Sequence, residues 1–316
     1  MNNHQNPQEE SLLIGIGDLH GHFPALQCLL EELEEKYAIF SNAPYFELRQ
    51  GVELVFTGDY IDRGRQNLTV IETLMRLQEE NPTQVHELFG NHELLALAGL
   101  GRARDLLTTQ PRDDDLLSAY YRCTVHGRNG GLAFLEEFGS TPRTALEDYV
   151  QRMARGGDIG SWMRKLQPLY LAQMQDKNIL FVHGGIPTSL ENPQSLKHYV
   201  KDFEEHVATD SVQFGSASQK FLKHRLVDGH SIFWDRQLNS LNREEVEELV
   251  RNVGVDYVVI GHTPQEGVTC FGDHIFNIDV GMCPTYGEGE PAAILFKKDG
   301  VHAFYARRGE QRLVTY

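Results

Sequence analysis

Cysteine is scarce in this sequence, and its few cysteines lie far apart. The 316 residues include only four, Cys28, Cys123, Cys270 and Cys283, and no two of them form a C-x-x-C pair. Without such a pair, the sequence predicts neither a zinc knuckle nor a disulfide framework. We therefore expect reduced thiols, in or near the core of a protein from a reducing compartment.

Basic residues and long apolar runs are also in short supply. Lys and Arg number 29 against 45 Asp and Glu, which gives a formal charge of −16. This acidic excess argues against nucleic acid or an acidic membrane as a general partner. No run reaches transmembrane length, and residues 1–10 lack the basic and apolar regions of a secretory leader. These absences predict a cytoplasmic protein in which any phosphate site needs local positive charge.

Five short apolar runs each end in small residues followed by side chains that bind metals. The run that ends at Gly58 leads into Asp59, and a turn then brings Asp62, Arg63 and Gly64. The other four runs lead into Asp18-Leu19-His20, Asn91-His92-Glu93, His183-Gly184-Gly185 and His262-Thr263-Pro264. Ligands of α/β sheets gather outside the carboxyl ends of the strands. The pattern therefore predicts one site assembled from five strand ends.

The order of apolar runs and amphipathic segments predicts an α/β fold. Strands are expected at residues 12–16, 54–57 and 85–89, with helices at residues 25–37 and 67–80 between them. This β-α-β-α-β order is typical of a largely parallel, layered sheet. Later runs predict a second sheet packed on the first, with strands at residues 179–182, 257–260, 275–279, 292–296 and 302–305.

One segment interrupts this order. Residues 97–175 are rich in Leu, Ala, Arg and acidic residues, and we interpret them as a helical insertion beside the site. The sequence contains no repeat, low-complexity segment or long linker. We therefore predict a single domain over residues 1–316, with the insertion as a cap.

Six of the strand-end side chains form a candidate ligand set: Asp18, His20, Asp59, Asn91, His183 and His262. Asp18 and His20 share a face of an extended segment, and their carboxylate and imidazole favour Mn, Fe or Zn over Mg or Ca. Six ligands exceed one tetrahedral site and suit two ions that share a bridge, for which Asp59 is central. With only two carboxylates, about two positive charges would remain, which favours a phosphate and a deprotonated bridging water.

Three further residues are candidates for the chemistry at phosphate. His92 directly follows a ligand, so it points elsewhere and is suited to protonate a leaving oxygen as general acid. Asp62 is a carboxylate that could orient this imidazole and raise its pKa. Arg63 offers a planar fork to phosphate oxygens. The alternative for Asp62 and Arg63 is an ion pair in a surface turn.

The ordered set GDLHGH, GDYIDRG, GNHE, VHGG and GHTP resembles the calcineurin-like metallophosphoesterases. The DRG that extends the second motif resembles the form of that motif in the phosphoprotein phosphatase family, a branch of this group. The helical insertion and the last motif, GHTP, resemble those of bacterial-type members of that family. The resemblance, over about residues 12–306, implies a four-layer α/β/β/α sandwich of two mixed sheets flanked by helices. It implies that Asp18, His20 and Asp59 bind one metal, and that Asp59, Asn91, His183 and His262 bind the other. It also implies His92 as general acid, Asp62 as its partner and Arg63 as phosphate clamp.

Two more substrate residues follow from the resemblance. The SIFWDR segment is similar to a family element near a second phosphate-binding arginine, which nominates Arg236. Arg102, Arg104 and Arg128 are the next candidates for that role. The GMCPTYG segment resembles a tyrosine-bearing loop over the site, which nominates Tyr286, with a surface aromatic as the alternative reading. His126 has two readings, a structural histidine outside the ligand loops or a substrate contact.

Three functions remain open at this point. The leading hypothesis is a Mn-, Fe- or Zn-dependent phosphomonoesterase acting on phosphoserine or phosphothreonine in proteins or peptides, with phosphotyrosine as an additional candidate substrate. The second is hydrolysis of a dinucleoside polyphosphate such as diadenosine tetraphosphate by the same centre. The third is a non-enzymatic binding scaffold, which would require lost ligands, and none of the six is missing. The sequence leaves the oligomeric state open.

Overall fold

The described part of the chain forms two mixed β-sheets. A computed structural model describes residues 11–42, 46–109, 112–190, 192–207, 231–287 and 289–316. Its strands are β1 Leu12–Ile16, β2 Val52–Phe56, β3 Val85–Glu87, β4 Leu169–Met174, β5 Lys177–Val182, β6 Tyr257–Ile260, β7 Thr269–Phe271, β8 Ile275–Asn277, β9 Ala292–Lys297, β10 Gly300–Tyr305 and β11 Gly309–Thr315.

Helices flank the sheets and fill the segment between β3 and β4. They are α1 Phe23–Tyr37, α2 Asn67–Glu80, α3 Asn91–Thr109, α4 Leu116–Cys123, α5 Leu132–Leu135, α6 Pro142–Met153, α7 Asp158–Met163, α8 Pro193–Val207 and α9 Arg243–Val253. Several ends follow from local sequence. Asn242 and Glu245 form a capping box at the start of α9, and Gly254 ends it in a left-handed conformation.

Both sheets combine parallel and antiparallel strands: the antiparallel strands lie on one side of the first sheet and form both edges of the second. The first has the order β11-β10-β9-β1-β2-β3, in which β1, β2 and β3 are parallel. The second has the order β4-β5-β6-β8-β7, in which β5, β6 and β8 are parallel. The parallel strands bring their carboxyl ends to the same edge of each sheet.

Two apolar cores explain why the central strands read as continuous apolar runs. In β1, Leu13 faces a core shared with the second sheet, while Ile14 and Ile16 face a core shared with the helices. The core between the sheets includes Phe181 and Phe296, whose rings lie 6.1 Å apart. A strand covered on both faces is apolar at every position. The predicted sandwich of two mixed sheets flanked by helices is therefore confirmed. The prediction that residues 292–296 and 302–305 join the second sheet is wrong, because they form β9 and β10 of the first sheet, where β9 pairs with β1.

The insertion differs from its predicted bounds at both ends. The helical segment starts earlier, because α3 begins at Asn91 directly after β3. The interpretation of residues 97–175 as helical is wrong at its end, where Leu169–Met174 forms edge strand β4 of the second sheet. Strand β4 is half exposed, with Leu171 55% exposed, so it lacks the continuous apolar run that marks a central strand. Strands β7 and β11 are likewise short or polar edge strands that the sequence did not predict.

Candidate metal centre and phosphate site

The six predicted ligands lie together at the carboxyl ends of five strands. Asp18 and His20 follow β1, Asp59 follows β2, and Asn91 starts α3 after β3. His183 follows β5 and His262 follows β6, so the second sheet contributes from the opposite side. All six are buried, at 6% exposure or less.

The loops that carry these residues adopt strained backbone conformations. In the described part of the chain, five of the eight non-glycine residues with positive φ are site residues: His20, Asp59, Asp62, Arg63 and His262. Such conformations cost free energy and cluster where a fold positions functional groups. Two glycines permit the close approach, because a Cβ on Gly90 would lie 2.3 Å from the backbone nitrogen of Asp59, and one on Gly261 would lie 2.3 Å from Asp18 Oδ1.

Asp59 occupies the middle of the cluster, with its two oxygens facing different histidines. Its Oδ2 lies 3.6 Å from His20 Nε2, and its Oδ1 lies 3.4 Å from His183 Nε2. Asn91 Oδ1 lies 2.9 Å from the same His183 nitrogen. Burial would raise the pKa of Asp59, but the charges of His183 and His92 outweigh burial and hold it well below its usual range. An ionised carboxylate in this position can bind a cation on each oxygen.

The residues present fit two divalent transition-metal ions. Ligand-type atoms of His20, Asp59 and His92 lie within 4.8 Å of one another, and so do those of Asp59, His183 and His262. Within the described residues, the buried Nε2 atom of His262 has no hydrogen-bond partner, which is costly for a polar atom unless it binds an ion. Mixed imidazole and carboxylate donors suit Mn, Fe and Zn.

Outer contacts aim the ligand histidines. The Nδ1 atoms of His20 and His183 lie 2.9 Å from the carbonyl of Ile61 and 2.8 Å from the carbonyl of Thr57. A carbonyl only accepts, so Nδ1–H donates in each ring and the Nε2 lone pair stays available to a metal. The ligand Asp18 is also held by an outer contact, because both of its oxygens accept from the backbone N–H of His262 at 3.1 Å. Burial, followed by the charge of Asp279, raises the pKa of Asp18.

Glu93 is a site residue that sequence reasoning missed. Its buried carboxylate accepts from the backbone N–H groups of Asp59 at 3.0 Å, Tyr60 at 2.9 Å and Gly90 at 2.9 Å. It therefore ties the Asp59 loop to the start of α3. The available signal was its position, since an acid at the third residue of a helix can reach back to the N-terminal N–H groups. Burial, aided by the charge of Asp59, raises the pKa of Glu93 to about 7.

His92 and Asp62 form a buried pair beside the ligand cluster. His92 Nδ1 lies 2.6 Å from Asp62 Oδ2, and the residues are 1% and 0% exposed. Burial lowers the pKa of His92, but the carboxylates of Asp59 and Asp62 outweigh it and raise the pKa above its usual value. Because Nδ1 donates to Asp62, Nε2 is the atom that faces outward. The predicted partnership of His92 and Asp62 is thus matched by their contact.

The second oxygen of Asp62 contacts a residue that the sequence left ambiguous. His126 Nε2 lies 2.9 Å from Asp62 Oδ1, and His126 is only 1% exposed. This burial excludes the reading of His126 as a substrate contact. Burial would raise the pKa of Asp62, but its two histidine partners, His126 first, lower it to about 2.

Arg63 lies at the edge of the cluster and is half-buried. One terminal nitrogen is 3.0 Å from His92 Nε2, and the guanidinium stacks 4.7 Å from the ring centre of Tyr286. The backbone N–H of Arg63 donates to the carbonyl of Gly130 at 3.2 Å, and its Nε donates to the carbonyl of Asn129 at 3.4 Å. The insertion therefore positions this arginine from the far side of the site.

The two remaining substrate candidates lie at the rim. The hydroxyl of Tyr286 is 3.4 Å from His20 Nε2, which places the ring beside the ligand cluster rather than on a remote surface. Arg236 is exposed and donates to the hydroxyl of Thr263, next to His262, at 3.1 Å. The next arginine candidates are also exposed: Arg102, Arg104 and Arg128.

This arrangement defines a class of protein, the metal-dependent phosphoesterases: buried carboxylates and imidazoles for cations, with an arginine and a histidine–aspartate pair beside them. The chain belongs to the calcineurin-like phosphoesterase family, whose model matches residues 12–266. The predicted family resemblance is confirmed, and the protein is a hydrolase of that family. In the part of the chain that the structure describes, no helix has the length and apolar character needed to cross a bilayer.

Individual relatives differ in the reactions that their names state. The chain is 24% identical to Shewanella-like protein phosphatase 1 of Plasmodium berghei, over 94% of this chain and 74% of the relative. It is 25% identical to a symmetrical bis(5'-nucleosyl)-tetraphosphatase of Pseudomonas syringae, over 73% of this chain and 59% of the relative. A cold-active protein-tyrosine phosphatase of a psychrophilic Shewanella species shares the fold, with a TM-score of 0.68, 22% identity, and coverage of 96% of this chain and 81% of that one.

Proposed function

We propose that this protein is a metal-dependent phosphomonoesterase that hydrolyses phosphoserine and phosphothreonine in proteins. The observation that carries the proposal is the 2.6 Å contact between His92 and Asp62, buried beside the ligand cluster and 3.0 Å from Arg63. Such a pair is a general acid held in place, and its value depends on the leaving group. A serine or threonine alkoxide needs a proton as the P–O bond breaks.

The leaving group separates this proposal from its rivals. A phenolate from phosphotyrosine is a better leaving group, because tyrosine has a pKa near 10. The leaving group of a dinucleoside polyphosphate is a phosphate that is stable as an anion. A fixed imidazole acid therefore contributes most to alkyl phosphomonoesters. The relative from Plasmodium berghei, named as a protein phosphatase, supports a phosphoprotein substrate over a dinucleotide.

Each residue has a proposed role. Asp18, His20 and Asp59 would hold one divalent ion, and Asp59, Asn91, His183 and His262 the other. Bound there, the two ions would supply a water of lowered pKa and a positive charge that offsets the phosphate. We propose that both ions are manganese. Iron and zinc are the alternatives, and elemental analysis would distinguish them.

The chain's own groups would bind the phosphate and complete the proton transfer. Arg63 and, at the rim, Arg236 would hold phosphate oxygens through charge-assisted hydrogen bonds, and Tyr286 would line the substrate mouth. His92, with Nδ1–H donating to Asp62, would release its Nε2 proton to the leaving oxygen. The charge of Arg63 opposes protonation of His92, and a bound phosphate dianion would offset that charge.

A substrate panel with Mn²⁺ present tests the proposal. It compares phosphoserine, phosphothreonine and phosphotyrosine peptides of one sequence with diadenosine tetraphosphate. We expect the highest kcat/KM on the phosphoserine and phosphothreonine peptides. A higher kcat/KM on diadenosine tetraphosphate would support the dinucleotide hydrolase instead. A preference for the phosphotyrosine peptide would contradict the proposed preference for phosphoserine and phosphothreonine.

A further inference from the structure

We propose that His126, contributed by the insertion, is a positioning residue that fixes the Asp62 carboxylate and thereby aims His92 at the leaving oxygen. This inference rests on the proposed function of His92 as general acid. It adds a residue that lies outside the strand-end loops and 64 positions from Asp62 in the chain.

The two oxygens of Asp62 have different partners. Oδ2 accepts from His92 Nδ1 at 2.6 Å, and Oδ1 accepts from His126 Nε2 at 2.9 Å. The backbone N–H of Asp62 donates to Asn67 Oδ1 at 2.7 Å, which also fixes the main chain. A carboxylate with one partner can rotate about its Cβ–Cγ bond, whereas a carboxylate with a donor on each oxygen has a single favourable orientation. His126 supplies the second donor.

Hydrogen-bond chemistry fixes the tautomer of His126. An ionised carboxylate only accepts, so Nε2 of His126 carries the proton that it donates to Asp62. In the neutral ring Nδ1 is then an acceptor, and the hydroxyl of Tyr120 lies 2.9 Å from it and donates. Tyr120 is 0% exposed. The result is a connected set of hydrogen bonds in which Tyr120 donates to His126, and His126 and His92 each donate to one oxygen of Asp62. Both ring nitrogens of His126 are in use.

The surrounding sequence leaves room for this chain of contacts. A Cβ added to Gly131 would lie 2.4 Å from His126 Nε2, and one added to Gly99 would lie 2.1 Å from the hydroxyl of Tyr120. Any side chain at either position would displace the network. The ring of Tyr149 lies nearly parallel to that of His126, at 19° with centres 6.3 Å apart, and closes the pocket on another side.

Truncation of His126 would leave Asp62 Oδ1 buried without its donor. The carboxylate would then turn or take up another partner, and His92 would lose its fixed direction. Outer contacts of this kind typically change activity by about 10–100-fold. The loss should appear only where the proton of His92 is needed. It should therefore depend on the leaving group and leave phosphate binding intact.

The test compares His126→Ala, His126→Gln and Tyr120→Phe with wild type and His92→Asn. Each is assayed on a phosphoserine peptide and on nitrophenyl phosphate, whose phenolate leaves readily without a proton. Gln is the conservative variant, because its amide can donate to Asp62 from nearly the position of His126 Nε2. His302→Gln is the matched control, since His302 is a buried histidine that pairs with Asp299 and Glu310 outside the site.

We expect His126→Ala to lower kcat on the phosphoserine peptide by about 10–100-fold, with KM, metal content and nitrophenyl phosphate turnover nearly unchanged. His126→Gln should recover most of the loss, and Tyr120→Phe should show a smaller loss of the same kind. Equal slowing of both substrates would overturn the proposal, because it would indicate a shift of Arg63 or the metals. Unchanged turnover of both substrates would overturn it as well.

Two comparisons keep the test decisive. If His126→Ala does not fold, Tyr120→Phe still decides, because equal turnover by Tyr120→Phe and wild type on the phosphoserine peptide would contradict the proposal. If His92→Asn itself shows no preference between the two substrates, the general-acid function fails. If His92→Asn shows the preference and the His126 and Tyr120 variants do not, only the positioning role fails.

Discussion

The metal-ligand side of the site and its acid–arginine side are held by different parts of the chain. The ligand side consists of strand ends from two sheets, braced by Glu93 and by carbonyls of neighbouring loops. On the other side, Asp62 and Arg63 leave the same loop as Asp59 but lean on the insertion, through His126 and the carbonyls of Asn129 and Gly130.

This difference separates cation binding from proton delivery. The ligand side is fixed by strand ends and by the first turn of α3, through Asn91 and Glu93, and none of its ligands comes from the later part of the insertion. The acid–arginine side depends on contacts across the cleft. The insertion also reaches the start of α2, where Glu137 accepts from the backbone N–H groups of Asn67 and Leu68 at 2.8 Å each. Substitutions should therefore divide into those that remove metal and those that leave metal bound but slow the reaction.

The largest effect is expected for Asp59→Asn on the ligand side. Asp59 faces both candidate metal positions, so its loss should remove most of two metal equivalents and lower turnover by about 10³-fold or more. Elemental analysis of protein purified without chelator measures the first and steady-state kinetics the second. An Asp59→Asn protein that retained two equivalents would contradict the bridging position.

Arg63→Ala should have the next largest effect and should spare the metals. Loss of a charge-assisted donor to the phosphate should lower kcat/KM by roughly 10²-fold on every phosphate ester, because all of them present the same oxygens. Arg243→Ala is the matched control, since Arg243 is an exposed arginine that pairs with Glu247 and Asp273 and has no proposed role in the site. Unchanged kcat/KM on a phosphoserine peptide and on nitrophenyl phosphate would show that Arg63 does not bind the phosphate.

Asp62→Asn should change the pH dependence rather than the metal content. His92 acts only while protonated, so the rate on a phosphoserine peptide falls as pH rises through its pKa. The Asp62 carboxylate helps to raise that pKa, and a neutral amide in its place should lower it. The alkaline limb of the pH profile should therefore move to lower pH. A limb that stays in place would assign it to a different group.

Arg236→Ala should have the smallest effect. Arg236 is exposed and donates to Thr263, so its hydrogen bond to phosphate would be weakened by solvent. We expect a several-fold loss of kcat/KM, roughly the effect of one solvent-screened charged contact, with two metals still bound. Wild-type kinetics on the phosphopeptide would place the second clamp elsewhere, and Arg128 would be the next residue to replace.

The same division explains how much the sequence could predict. Strands β1 and β6 and helix α2 were predicted with their observed bounds. The two strands are continuous apolar runs, and the helix repeats its apolar residues at helical spacing. The ligand loops were predictable because each ligand directly follows a strand and a small residue. The partners of Asp62 and Arg63 were not, since His126, Asn129 and Gly130 come from a region without a metal-binding motif. Glu93 was missed because its donors are backbone N–H groups, two of them on the Asp59 loop, and only its position as the third residue of α3 hinted at this role.

The most direct test of the account is the leaving-group dependence of His92→Asn. The variant and wild type are compared on a phosphoserine peptide and on nitrophenyl phosphate, with metal content measured in both proteins. Because only the alkoxide needs a proton, the variant should lose about 10²–10⁴-fold on the peptide and far less on nitrophenyl phosphate, with two metals bound. Equal losses on both substrates would contradict the account, because His92 would then act on the metals, the water or the phosphate.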